Sequence, residues 1–336
     1  MKLIVDKDIP FIEGRVLQEV ETIYLKGDSI SAEDVKDADA LIVRTRTKCD
    51  KNLLNHSGVK LIATATIGTD HIDLPWCEEK GIIIRNAPGC NAPGVAQYVF
   101  STLFKSGFNP SEHTLGIIGY GNVGGIVGKW ARQMGIRTLV YDPPRKEKGL
   151  TDLDYQDLDV LLKESDAISL HVPLTRTGQY PTLGMIGERE LSLMKPGALV
   201  VNTSRGGVVD EKILKVFLKE KKIRAILDVW ENEPEIDREL LELVEFATPH
   251  IAGYSEEGKK RGTLIALQAL NEILGVKVDI QGLECIPEGN KRISRELIES
   301  SYNPEKDHSQ LLSDPNAFET FRNNYKYRHE PLFTGH

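Results

Sequence analysis

Nothing in this chain looks like a membrane span, a secretory leader or a metal cage, and each absence narrows what it can do. Its apolar runs are all of strand length, well short of the ~20 residues a spanning helix needs. The N-terminus, MKLIVDKDIP, meets Asp6 after only three consecutive apolar residues, too few for a secretory signal, which predicts a cytoplasmic protein. Cysteine is scarce. Cys49, Cys77, Cys90 and Cys285 show no CxxC spacing and no histidine-rich neighbourhood, so reduced thiols and no metal site are expected. Positive charge is also short: 42 Lys and Arg against 50 Asp and Glu give a net charge of −8. That balance argues against nucleic-acid or membrane-surface partners, which recruit a basic face. No repeat or low-complexity tract is present. What remains is a composition of ordinary kind on 336 residues, 40% hydrophobic and 27% charged, long enough for two or three domains.

Short β-branched runs alternate with helical or polar stretches along most of the chain. KLIVDKD, TIYLKG, ALIVRT, KLIATATIG and IIIRNAP occupy the first hundred residues; GIIGYG, TLVYD, AISLHVP, ALVVNTSRG, RAILDVW and EFATPH follow. This alternation predicts two open parallel sheets, each covered by helices on both faces. GTLIALQALNEIL, residues 262–274, is a strongly apolar helix that stops at Gly275, a residue suited to a helix C-terminus; it is expected to return to the first lobe. Beyond Gly282 the sequence turns polar, with Phe318, Phe321 and Tyr325 at helical spacing and Tyr327 and Phe333 nearby. So short a tail cannot readily build its own core, so its aromatic stripe is expected to pack against the rest of the chain or against another subunit.

The most informative segment is TLGIIGYGNVGGIVGKWARQMGIRTLVYD, residues 114–142. An apolar strand runs into Gly119, Gly121 and Gly124, and a helix follows with Val123, Val127, Trp130 and Met134 on one face. A second strand ends in Asp142. Glycines here let the backbone turn tightly and approach a pyrophosphate, whose charge meets unpaired amides and the positive end of the helix dipole. Gly119, Gly121, Asn122, Val123 and Gly124 are the expected phosphate loop, and Asp142 the acceptor for ribose hydroxyls. That acid favours NAD over NADP; Arg145 and Lys146 after it are the features that would suit a 2'-phosphate.

Three residues stand at predicted strand ends: Arg205 in VVNTSRGGVVDE, Glu233 in AILDVWENEP and His250 in FATPHIAGY. Carboxyl ends of parallel strands line the ligand crevice, so the three can converge. A guanidinium can grip a carboxylate bidentately. An imidazole can take a hydroxyl proton while a neighbouring carboxylate orients it. Taken singly, each has a structural alternative as an ion-pair, loop or core residue. A cationic cluster, VRTRTK at 43–48, places Arg44, Arg46 and Lys48 on alternate positions; on a strand these would share one face, with a solvated strand end as the plainer reading.

HVPL, MKPGALVVNTSRGGVVDE, LDVWENEP and TPHIAGY resemble the D-isomer-specific 2-hydroxyacid dehydrogenases over about residues 1–280. The resemblance implies a flavodoxin-like substrate lobe (1–92 and 256–280) and a Rossmann NAD lobe (93–255), followed by a small α+β dimerisation extension (281–336), hence a homodimer. It makes Arg205 the substrate-carboxylate binder, Glu233 the partner of the histidine and His250 the acid/base. Asp142 becomes the ribose ligand, and Asp228 a nicotinamide contact with a structural alternative as a strand-end turn residue. Val172, Thr203, Ser204, Arg205 and Gly253 become cofactor neighbours. TATIGTDHID (64–73), the connection GQYPTLGM, Tyr254 after His-Ile-Ala-Gly and the long tail are similar to one branch of the family, which acts on a phosphorylated four-carbon 2-hydroxy acid in vitamin B6 synthesis. By that likeness Thr45, Thr66 and Tyr254 bind substrate, and Arg44 or Arg46 meets its phosphate; Arg46 is larger than the residue this branch commonly carries there. The alternatives are another 2-hydroxyacid dehydrogenase, acting on phosphoglycerate or on glyoxylate and hydroxypyruvate, or an NAD-sensing binding protein without turnover.

Overall fold

The computed structural model describes residues 1–17, 20–150, 155–287 and 292–333. The chain forms two compact units: Met1–Asn91 with Ser255–Pro287, and Ala92–Tyr254 with the residues that follow 287.

In the first unit, β1 (Lys2–Asp6), β2 (Glu21–Leu25), β3 (Ala40–Val43), β4 (Leu61–Thr64) and β5 (Ile83–Arg85) form one parallel sheet in the order β2-β1-β3-β4-β5. Alternation sends neighbouring side chains to opposite faces. Leu3, Val5 and Ile42 pack with Ala266, Leu267 and Leu270 of the helix Glu256–Leu274, while Ile4, Leu41 and Val43 pack with Val35, Leu54 and Cys77. Burial of both faces explains why β3 is apolar throughout and β1 over Leu3–Val5. The long helix is stopped at both ends by local chemistry: Ser255 Oγ accepts the Gly258 amide at 3.1 Å, and Gly275 takes the left-handed φ of 68°. The expected return of this segment to the first lobe is therefore observed.

The second unit carries β6 (Thr114–Ile118), β7 (Arg137–Tyr141), β8 (Ala167–Leu170), β9 (Leu199–Asn202), β10 (Arg224–Leu227) and β11 (Phe246–Ala247), in the order β11-β10-β9-β8-β6-β7, all parallel. Strand order reverses between β6 and β8, and a crevice forms at such a reversal beyond the carboxyl ends of the strands. The helix Asn122–Gln133 buries Val127 and Trp130 against the helix Ala92–Lys105, with Trp130 6.4 Å from the Phe100 ring. The described part of the tail carries helices over Arg295–Ser301, Glu305–Ser313 and Phe318–Asn323. Phe318 and Leu311 enter one core of this unit, and Ile293, Ile298 and Tyr302 enter the other. The aromatic stripe thus packs partly on its own chain; Tyr325 lies past the end of the last helix, so the helical spacing does not extend to it.

No helix among the described residues is long and apolar enough to cross a membrane.

Candidate active site

The glycine loop joins β6 to the helix Asn122–Gln133, whose N-cap is Gly121. A methyl group on Gly124 would sit 2.0 Å from the Gly119 carbonyl, so helix and loop lie too close for any side chain; one on Gly121 would meet nothing within 4 Å. The space beside Gly121 is therefore open, at a helix N-terminus of the kind that receives a pyrophosphate. Asp142, at the end of β7, accepts the Tyr120 amide at 2.7 Å on Oδ2 and the Arg145 amide at 3.0 Å on Oδ1. A carboxylate has about four acceptor positions, so capacity for ribose hydroxyls remains. Beside it lies a cavity of about 280 Å³ lined by Asp142, Pro143, Tyr155 and Tyr180 among others.

Beyond β8, His171 donates its backbone amide to Ile118 O at 2.8 Å, and its Nε2 lies 2.9 Å from Ser169 Oγ. Burial pulls this imidazole down to about 3, so it is neutral. Val172, the next residue, packs partly buried against the core. Beyond β9, Asn202 organises the turn that carries Arg205. Its Oδ1 accepts the Ser204 amide at 3.1 Å and the Ser204 hydroxyl at 2.8 Å, and its Nδ2 donates to Arg205 O at 3.0 Å. Arg205 Nη1 donates to Ser204 O at 2.8 Å. Thr203 Oγ1 is buried without a hydrogen-bond partner. An orphaned hydroxyl is unfavourable unless a ligand completes it, and with the open glycine loop it shows that the residues present fit a dinucleotide.

Gly206 allows the β9 turn to lie on the next loop, since a methyl group there would fall 1.9 Å from Trp230 O. In that next loop Glu233 accepts the Trp230 amide at 3.0 Å on Oε1, and its Oε2 is 2.8 Å from His250 Nδ1. Burial alone would raise the Glu233 carboxyl, but the hydrogen bond and charge of His250 outweigh it and leave the pKa below the ordinary value. An ionised carboxylate can only accept a hydrogen bond, so it selects the ring tautomer with the proton on Nδ1, which places the lone pair of the uncharged ring on Nε2. His250 itself has the left-handed φ of 57°, uncommon for a residue with a side chain. Asp228, buried at the end of β10, holds that turn: its Oδ1 accepts the Ile251 amide at 2.7 Å and the Thr248 hydroxyl at 2.6 Å, its Oδ2 the Ala252 amide at 3.0 Å. Its backbone oxygen accepts the His250 amide at 2.8 Å. The strand-end structural task expected as an alternative for Asp228 is thus present. Gly253 is buried in the same turn, and Tyr254 Oη accepts Arg322 Nε at 3.2 Å.

The sequence did not single out Glu211, which braces the Glu233 loop by accepting the Glu231 amide at 2.6 Å. Burial pushes its carboxyl up to about 7, helped by the charges of Glu231, Asp237 and Glu233. A carboxyl raised in the folded state contributes stability that is complete below about 4.5 and lost as pH rises through about 7. Glu211→Gln keeps an acceptor for the Glu231 amide without the charge. It is expected to be more stable than wild type at pH 8 by on the order of 2–3 kcal/mol, and not at pH 5. Thermal unfolding of both proteins across this range checks it, and superimposable Tm profiles would contradict it.

In the first unit the basic strand face is not found. β3 ends at Val43 and residues 44–48 turn, so Arg44, Arg46 and Lys48 do not share a strand face. Arg44 leaves the sheet to pair with buried Asp6 at 3.0 Å and with Asp8 at 3.5 Å. Lys48 pairs with Asp50 at 3.0 Å. Thr45 is exposed in that turn, and Thr66 Oγ1 lies 2.7 Å from the Thr64 hydroxyl. No group of three or more His, Cys, Asp or Glu side chains among the described residues could hold a metal ion, and no disulfide links the four cysteines.

Comparison with known proteins agrees with this chemistry. Residues 95–252 match the D-isomer specific 2-hydroxyacid dehydrogenase NAD binding domain. Among solved structures, D-lactate dehydrogenase of Aquifex aeolicus complexed with NAD and lactic acid is similar with a TM-score of 0.65 and 29% identity, over 83% of this chain and 99% of that one. NAD+-bound 3-phosphoglycerate dehydrogenase of Entamoeba histolytica follows with a TM-score of 0.66 and 30% identity, over 82% and 95%. Along nearly the whole chain the similarity is to erythronate-4-phosphate dehydrogenases: 43% identity with that of Bacteroides fragilis YCH46, over 98% of this chain and 97% of the relative. For Shigella dysenteriae serotype 1 the identity is 39%, over 98% and 92%. This chain belongs to the D-isomer specific 2-hydroxyacid dehydrogenases, in the branch of the erythronate-4-phosphate dehydrogenases. It is an NAD-dependent oxidoreductase.

Proposed function

We propose that the chain oxidises 4-phospho-D-erythronate at carbon 2 with NAD, giving (R)-3-hydroxy-2-oxo-4-phosphobutanoate for pyridoxine 5'-phosphate biosynthesis. The observation that carries this reading is the 2.8 Å contact between His250 Nδ1 and Glu233 in a chain 43% identical throughout to an erythronate-4-phosphate dehydrogenase. When bound, NAD supplies the acceptor for the hydride that leaves carbon 2. Arg205 grips the α-carboxylate with its planar fork, fixing which carbon is presented. His250 Nε2 takes the hydroxyl proton as the C–H bond breaks, and Glu233 holds the ring in the required tautomer and stabilises the imidazolium that results. The same reading gives Thr45, Thr66 and Tyr254 to the substrate, and Arg44 or Arg46 to its phosphate. It gives Gly119, Gly121, Asn122, Val123, Gly124, Asp142, Val172, Thr203, Ser204, Asp228 and Gly253 to the cofactor.

The reading extends to a cytoplasmic homodimer joined through residues 281–336.

Initial rates of NADH formation from 4-phospho-D-erythronate, erythronate and 3-phosphoglycerate test the substrate assignment. The phosphorylated four-carbon acid is expected to give the highest kcat/KM, and a preference for 3-phosphoglycerate would overturn it.

A further inference from the structure

We propose that Arg328, supplied by the C-terminal tail, is a positioning residue for His250, gripping by its carbonyls the same turn that Asp228 grips by its amides. The inference rests on the catalytic reading of His250 given above. Arg328 is buried, 9% exposed. Its Nη1 donates to Ile251 O at 3.1 Å and Tyr254 O at 3.4 Å, and its Nη2 donates to Ala252 O and to Gly94 O at 3.0 Å. Nε donates to Gln97 Oε1 at 2.9 Å, and Nη1 also reaches the Tyr325 hydroxyl at 3.2 Å. The guanidinium lies 4.4 Å from the centroid of the Tyr302 ring. Asp307 stands behind this cluster, accepting the Tyr302 hydroxyl at 2.7 Å and the Tyr325 hydroxyl at 3.1 Å.

A guanidinium has five N–H donors in a fixed plane, and here every one has an acceptor. Three of those acceptors are main-chain oxygens within four residues of His250, in a stretch that is neither helix nor strand. An irregular turn whose lead residue sits at positive φ persists only when its surroundings fix it from several sides. Asp228 satisfies its N–H groups and Arg328 its C=O groups, so the two opposite charges together leave the turn one conformation. Fastening the tail to the unit could be done at any carbonyl; fastening it at Ile251, Ala252 and Tyr254 couples the tail to the placement of the imidazole. Displacing a catalytic group by about 1 Å typically lowers the rate by about 100-fold.

The test uses the full chain carrying Arg328→Lys, which keeps the charge but offers three donors from a single nitrogen and cannot span these carbonyls. The expected result, in protein with native circular dichroism, is a kcat for 4-phospho-D-erythronate lower by about 100-fold with a Kd for NADH changed by less than about threefold, because the glycine loop is untouched. A folded variant with kcat within about threefold of wild type overturns the proposal. Should Arg328→Lys fail to fold, Tyr325→Phe decides: it removes one acceptor of the fork, and a several-fold lower kcat at unchanged NADH affinity supports the proposal, whereas wild-type kcat overturns it. Wild-type protein that binds NADH but does not oxidise 4-phospho-D-erythronate would instead strike the functional reading, and this proposal with it.

Discussion

His250→Asn is expected to bind NADH as wild type does and to lose 2-hydroxyacid oxidation by about 100- to 10,000-fold in kcat, the range a positioned general base contributes. The asparagine can still reach Glu233 from the same backbone, so the turn held by Asp228 should survive. What it lacks is a nitrogen that can accept a proton at neutral pH. Hydride departure from carbon 2 would then leave a protonated oxygen with no acceptor, which raises the barrier of the chemical step and leaves dinucleotide binding alone. Steady-state kcat together with fluorescence titration of NADH separates the two effects. Turnover equal to wild type would remove His250 from the chemistry.

Arg205→Ala is expected to lower kcat/KM for any 2-hydroxy acid by about 100- to 10,000-fold. Hydrogen bonds to charged groups contribute about 1.5–3 kcal/mol each, and a fork makes two; each 1.36 kcal/mol is tenfold. The turn itself should hold, because Asn202 ties it through Ser204 and through the Arg205 carbonyl, which alanine retains. Arg205→Lys should fall between wild type and alanine, since it restores charge but not the planar pair of donors. A competition assay of kcat/KM with NAD saturating checks the order. Equal values for all three proteins would mean that the carboxylate is held elsewhere.

How much of this was legible in the sequence depended on whether the relevant contact leaves a periodic trace. Strands such as Leu61–Thr64 and Leu199–Asn202 are buried on both faces, so each is a bare apolar run that announces itself. The glycine loop was equally plain, since Gly124 against the Gly119 carbonyl permits no other residue. VRTRTK misled because alternating charge looks the same on a strand and on a turn. What decided it was the burial of Asp6, 38 residues away, which draws Arg44 off the sheet. Glu211 and Arg328 were missed for a related reason. Their partners are main-chain atoms, the Glu231 amide and the carbonyls of Ile251 and Ala252, and a main-chain atom carries no side-chain identity that a sequence can display. The tail gave its aromatic content but not its placement, because Phe318 and Leu311 complete a core whose other members lie more than sixty residues earlier.

The measurement that bears most directly on the account is the stoichiometry of the wild-type reaction with 4-phospho-D-erythronate and NAD, following NADH by absorbance and the 2-oxo acid by carbonyl derivatisation. The account predicts one NADH for each molecule of 3-hydroxy-2-oxo-4-phosphobutanoate, with both lost together in His250→Asn. Consumption of the acid without NADH, or tight NADH binding with no oxo acid formed by the wild-type protein, would contradict it.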